Sequence, residues 1–140
     1  MAIATWSPDG KNAPVTLRAS ATTTGASTKN TDTAVLLGKG KYRVVTDVTV
    51  IETAGNDEGY TIVLEANTRA ATSTWYEIGT IGHFGAAEVT GRAADDAADE
   101  YEIIVDNPYD YQVRVVTYKI GSTPTGITFS VKAYALSDKR

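Results

Sequence analysis

His83 is the only histidine of the chain and the first place to look for acid–base chemistry; it sits in Ile81-Gly-His-Phe-Gly85. A Ser–His–acid arrangement needs a nucleophile presented beside that base, and no G-x-S-x-G turn occurs to present one. A single histidine also rules out a two-histidine metal site within the chain, so His83 is read as a loop residue without a catalytic role. The acidic group Asp95, Asp96, Asp99 and Glu100, with Asp57 and Glu58 as further carboxylates, is the best metal candidate. Calcium takes about six to eight oxygens from a bent loop, and this run lacks the D-x-[DN]-x-[DN]-G spacing. It is read as a solvated acidic loop. Gly38-Lys-Gly-Lys41 lacks the spacing that cradles phosphate and precedes a strand rather than a helix. Trp6 and the pair Trp75-Tyr76 have the rings to stack on sugars. Adjacent strand residues point to opposite faces, so only one of Trp75 and Tyr76 can line a given surface; the other is expected in the core. No catalytic, cofactor-binding or metal-binding residue is assigned, and the chain is not read as an enzyme.

The elements that would position these residues read as β throughout. Tyr111–Ile120 and Ile127–Leu136 are rich in Val, Ile, Tyr, Phe and Thr, and Gly121-Ser-Thr-Pro-Thr-Gly126 joins them, which predicts a hairpin. With Ile120 opposite Ile127, the apolar face near the loop is Ile120, Tyr118, Val116, Ile127, Phe129 and Val131. Further away that face becomes Gln112, Arg114 and Ala133, while Tyr111, Val113, Tyr134 and Leu136 make the other side apolar. Either a bulge resets the register or both faces are covered. Val113, Tyr134 and Leu136 are therefore candidate partner-contact residues. Residues 41–52 place Tyr42, Val44, Val48 and Val50 on one face; residues 60–66 place Tyr60, Ile62, Leu64 and Ala66 together, completing a second predicted hairpin. Shorter strands are expected at 34–37, 74–81 and 101–105, with loose text between 82 and 99 and no stripe wide enough for a packed helix.

Residues 1–32 differ in composition. Apart from a short alternating run at 15–19, they are turn-like or rich in Thr, Ser, Ala and Gly, too poor in large apolar groups to offset their ordering entropy alone. The expected organisation is an N-terminal arm over residues 1–32, with Trp6 as its anchor to a partner, and one domain over 33–140. Many short strands without a long helix predict a single-domain antiparallel β-sandwich, jelly-roll or immunoglobulin-like.

At 140 residues the chain is one domain's worth and large enough to bury a core. A formal charge of −4 argues against a nucleic-acid partner, which needs concentrated Lys and Arg. There is no cysteine for disulfides or thiolate chemistry. The start lacks the basic and apolar regions of a signal peptide, and no apolar run reaches membrane-spanning length. A soluble protein made in the cytoplasm, without membrane or nucleic-acid partner, is the expectation.

Several runs carry a resemblance: Lys41-Tyr-Arg-Val-Val-Thr-Asp-Val-Thr-Val50, Tyr60-Thr-Ile-Val-Leu-Glu65, Thr74-Trp-Tyr-Glu-Ile-Gly79, Tyr111-Gln-Val-Arg-Val115 and Thr128-Phe-Ser-Val-Lys-Ala133. Together, over about residues 40–136, they resemble the small β-sandwich proteins of tailed-bacteriophage virions, most closely the capsid decoration, or cement, proteins. The resemblance implies a non-enzymatic structural protein on the outside of the phage head, assembled in the host cytoplasm. Its partner would be the major capsid protein, with the chain bridging capsomers, often as a homotrimer. Phage neck and tail components share this cadence. A carbohydrate-binding β-sandwich module is the competing class.

Overall fold

The computed structural model describes residues 14–23, 29–53, 59–85, 99–120 and 124–136. Strands occupy nearly all of them: β1 Val15–Thr23, β2 Lys29–Thr31, β3 Val35–Leu36, β4 Gly40–Thr53, β5 Gly59–Thr68, β6 Ala71–Gly85, β7 Asp99–Asn107, β8 Gln112–Ile120 and β9 Pro124–Ala135. They form two antiparallel sheets packed as a β-sandwich. The first runs β1-β9-β4-β7; the second runs β2-β8-β5-β6, with β3 also along β8. Between β2 and β3 the backbone stays bonded to β8, through Asp32 N–H to the Val115 carbonyl (3.0 Å), and just beyond β3 Leu37 N–H reaches the Tyr111 carbonyl (3.0 Å).

The inward faces follow period-2 alternation. Tyr60, Ile62, Leu64 and Ala66 of β5, Val113 and Val115 of β8, Val44 and Val48 of β4, and Ile127, Phe129, Val131 and Ala133 of β9 fill the space between the sheets. On β5 the expected face is the observed one. On β4 it holds through Val48, where a register shift between Val48 and Val50 intervenes. Val50 turns outward, 43 % exposed, and Ile51 takes the inward place. A bulge inserts one residue and flips everything beyond it.

Neither long hairpin forms. β8 pairs with β5 from Gly59↔Ile120 to Ala66↔Val113 without a register shift, while β9 pairs with β4 and β1 in the other sheet. Likewise β4 and β5 lie in different sheets. The strands expected to fold back on each other therefore sit in opposite sheets. The apolar switch along 111–136 thus needs no bulge in β8. That strand is covered on both sides, with Val113 and Val115 inside and Val116, on the opposite face, also fully buried.

The arm expected over residues 1–32 is replaced, where it is described, by integral structure. Val15 and Leu17 of β1 belong to the core, and β1 pairs with β9 from Val15↔Ala133 to Thr23↔Ile127. Arg18 ties this edge to the opposite sheet. Its Nη1 donates to both Asp32 oxygens at 2.8 Å, its Nε to the Phe129 carbonyl at 3.1 Å, and its Nη2 to the Ala21 carbonyl and Thr23 Oγ1 at 2.8 Å. The guanidinium also lies 3.9 Å from the Phe129 ring centroid. A buried cation is tolerated because its donors are satisfied. Residues 1–13, with Trp6, lie outside the described residues.

Candidate contact surface

The outer face of the first sheet follows from the same alternation. With Tyr42, Val44, Thr46 and Val48 inward, β4 presents Lys41, Arg43, Val45 and Asp47 outward. Register places their neighbours in rows. Ile104 of β7, Arg43 and Tyr134 of β9 form one row; Glu102, Val45 and Lys132 form the next; Glu100, Asp47 and Ser130 follow. Arg43 joins the first two rows. Its Nη1 lies 2.7 Å from Glu102 Oε2, and its guanidinium sits 4.4 Å from the Tyr134 ring centroid. Leu136 extends the patch past the end of β9, its N–H bonded to the Lys41 carbonyl at 2.9 Å. Ile104 is 57 % exposed, the most exposed large apolar side chain described, and Leu136 is also exposed. The surface thus sets Ile104, Tyr134 and Leu136 around a pre-oriented arginine, with the exposed charges Glu102, Lys132, Glu100 and Asp47 in the adjoining rows. That chemistry serves protein–protein contact, where Arg and Tyr are enriched.

The candidate contact residues separate. Tyr134 and Leu136 lie on this face, half-buried and exposed. Val113 does not join them: it is fully buried between the sheets and cannot meet a partner. Grouping it with Tyr134 rested on a β8–β9 pairing that does not form. Ile104 and Arg43 were not singled out from the sequence. The adjacent pair Ile103-Ile104 was the readable signal, since one of two strand neighbours must face outward.

A second aromatic cluster lies at the end of the sandwich where the turn between β5 and β6 meets residues 108–111. Tyr76 stacks on Tyr109 with centroids 4.8 Å apart and planes 8° from parallel. Arg69 lies over Tyr111 at 4.7 Å, and its N–H donates to Asp110 Oδ1 at 3.0 Å. Trp75 lies elsewhere, on the outer face of the second sheet, with the Arg114 guanidinium 4.0 Å from its ring. Arg114 is clamped by Glu65, with Nε and Nη2 at 2.8 and 2.7 Å from Oε1. Trp75 and Tyr76 part to different surfaces, but the expectation that one of them enters the core fails: Trp75 is half-buried on the outer face and Tyr76 is exposed. A register shift between Ala66 and Thr68 sets residues 72–75 outside regular pairing, and bulges of this kind re-aim side chains.

His83 is exposed at the outer edge of β6, its Nδ1 2.8 Å from Thr61 Oγ1. Asp99 and Glu100 open β7; Asp57, Glu58, Asp95 and Asp96 lie outside the described residues. Among the described residues there is no group of three or more His, Cys, Asp or Glu side chains able to hold a metal ion, and no helix long and apolar enough to cross a membrane. Burial raises the Tyr42 phenol above its usual value, while its hydroxyl donates to the Gly38 carbonyl at 2.9 Å.

Compared with known proteins, the sequence matches no family model and no curated protein.

Proposed function

We propose that this chain is a non-enzymatic structural protein of a tailed-phage virion that binds the outside of the capsid and braces neighbouring capsomers. The observation that carries the reading is the outer face of the first sheet. Ile104, Tyr134 and Leu136 are set there around Arg43, an apolar and aromatic cluster with the residue types of a contact core, bordered by the charges Glu102 and Lys132. The strand order supports it. An immunoglobulin-like sandwich pairs several sets of sequential strands, whereas here the β5–β6 hairpin is the only sequential pair among the described strands. Apart from β2 and β3, which both lie along β8, the chain otherwise passes from one sheet to the other, which favours the jelly-roll reading, an architecture used by viral capsid and lectin domains. Fold alone does not assign function, and the capsid and the homotrimer enter from the family resemblance.

The test is co-sedimentation of the purified protein with phage heads lacking it, compared with isolated tails. Binding to heads, lost in Tyr134→Glu while the variant keeps its melting transition, is the expected result. Binding to tails alone would assign the neck or tail role. Binding to neither would overturn the virion reading.

A further inference from the structure

The aromatic end of the sandwich takes no part in that contact face. We infer that Tyr76 is a carbohydrate platform that receives the C–H face of a pyranose ring, with Arg69 and Asp110 as its flanking hydroxyl partners. The stack on Tyr109 is nearly parallel, so Tyr109 covers one face of the Tyr76 ring. Tyr76 is nevertheless 43 % exposed, so a large part of the side chain beyond the stack meets solvent. The ring is held before any ligand arrives. Tyr109 beneath it packs against the core, and its N–H donates to Asn107 Oδ1 at 3.0 Å. The Tyr76 backbone is in register with Ala66, which is fully buried. A pre-oriented ring loses little freedom on binding.

The polar groups are fixed by the same end of the fold. Arg69 is in the turn closed by Thr68↔Ala71, and its backbone bond to Asp110 ties that turn to the segment carrying Tyr109. Asn67 holds the base: its Nδ2 donates to the Thr72 carbonyl at 2.9 Å and its Oδ1 accepts from Gln112 N–H at 2.9 Å. Arg69 and Asp110 are both exposed, and a guanidinium and a carboxylate offer planar donors and acceptors suited to vicinal hydroxyls. A proline-rich peptide is the less suitable occupant, because it docks in grooves between aromatic side chains. Here two rings 4.8 Å apart close on each other and leave one flat face.

The inference does not depend on the capsid reading. The experiment is an amide-resolved NMR titration of the full chain with cellohexaose, chitohexaose, maltohexaose and a proline-rich peptide. At least one hexasaccharide is expected to bind with Kd near ~1 mM, shifting amides of residues 69, 76 and 109–111. Tyr76→Leu still covers Tyr109 but lacks a π face, and is expected to weaken binding by about two- to tenfold, the scale of one stacked ring, with the melting temperature little changed. Tyr76→Trp is expected to retain binding. Three results would overturn the inference: no shifts with any of the sugars up to ~10 mM, binding unweakened by Tyr76→Leu, or the peptide alone binding at this end. Head binding is measured on a different face, so either reading can fail alone.

Discussion

Among individual residues, the hydroxyls of Thr46 and Thr117 stand apart. Both are buried on inward-facing strand positions and neither has a hydrogen-bond partner among the described residues. A buried unsatisfied hydroxyl costs about 1–3 kcal/mol. Thr46→Val and Thr117→Val, which keep the shape and remove the polar atom, are therefore expected each to raise the melting temperature by roughly 3–5 °C, seen by calorimetry. Arg18 is the opposite case, a buried cation with its donors occupied. Arg18→Met leaves Asp32, about four-fifths buried, without its counter-ion, and is expected to cost about 3–5 kcal/mol in denaturant titration. Tyr42 supplies the alkaline limit. Its phenol is raised in the folded state by burial, so between the unfolded and folded values the unfolded chain binds fewer protons. Its contribution is present below about pH 10, the unfolded value, and lost as pH rises through the folded value. Tyr42→Phe should flatten that part of the stability–pH curve.

At the scale of elements, β6 shows how an irregular strand fills a regular core. Register shifts against β5 fall between Ile62 and Val63, between Leu64 and Glu65 and between Ala66 and Thr68. They bring Ile78, Ile81 and Phe84 to the core at intervals of three residues rather than two. Gly82 lets the Phe84 ring lie close over the strand, since a Cβ there would stand 2.9 Å from Phe84 Cζ. Phe84 is fully buried and packs edge-on to Tyr101 at 4.9 Å, so its ring has nowhere to retreat. Gly82→Ala is expected to destabilise the fold by about 1–3 kcal/mol, the usual cost of overpacking, read from the shift of a urea midpoint. An unchanged midpoint would mean that β6 can move away from β5.

For the whole molecule, the first and last described strands are joined, with Val15 of β1 opposite Ala133 of β9. A strand that contributes core residues and half of an inter-sheet ion pair cannot behave as a detachable arm. Deletion through residue 23 is expected to abolish the cooperative melt followed by far-UV circular dichroism, because it removes Val15, Leu17 and Arg18 and uncovers one side of β9. A truncated protein with an unchanged melt would restore the view of this segment as a docking arm.

What the sequence by itself determined is the local layer: an all-β chain, the positions of most strands, and the inward face of β5, because side-chain period and β-branched or aromatic composition are properties of a few consecutive residues. It also separated Trp75 from Tyr76, but it placed one of them in the core, where neither lies. Tertiary structure alone decided which strands are neighbours. Sequential strands usually pair, and Gly- and Pro-containing connections such as 121–126 read alike whether they turn back or cross to the other sheet. The contact patch was hidden for the same reason. Ile104, Arg43 and Tyr134 come from separate stretches of the chain and meet only because β7, β4 and β9 are neighbours in one sheet. Val113 and Tyr134, which look equivalent as apolar residues on a polar background, were divided between core and surface by the sheet each strand joined.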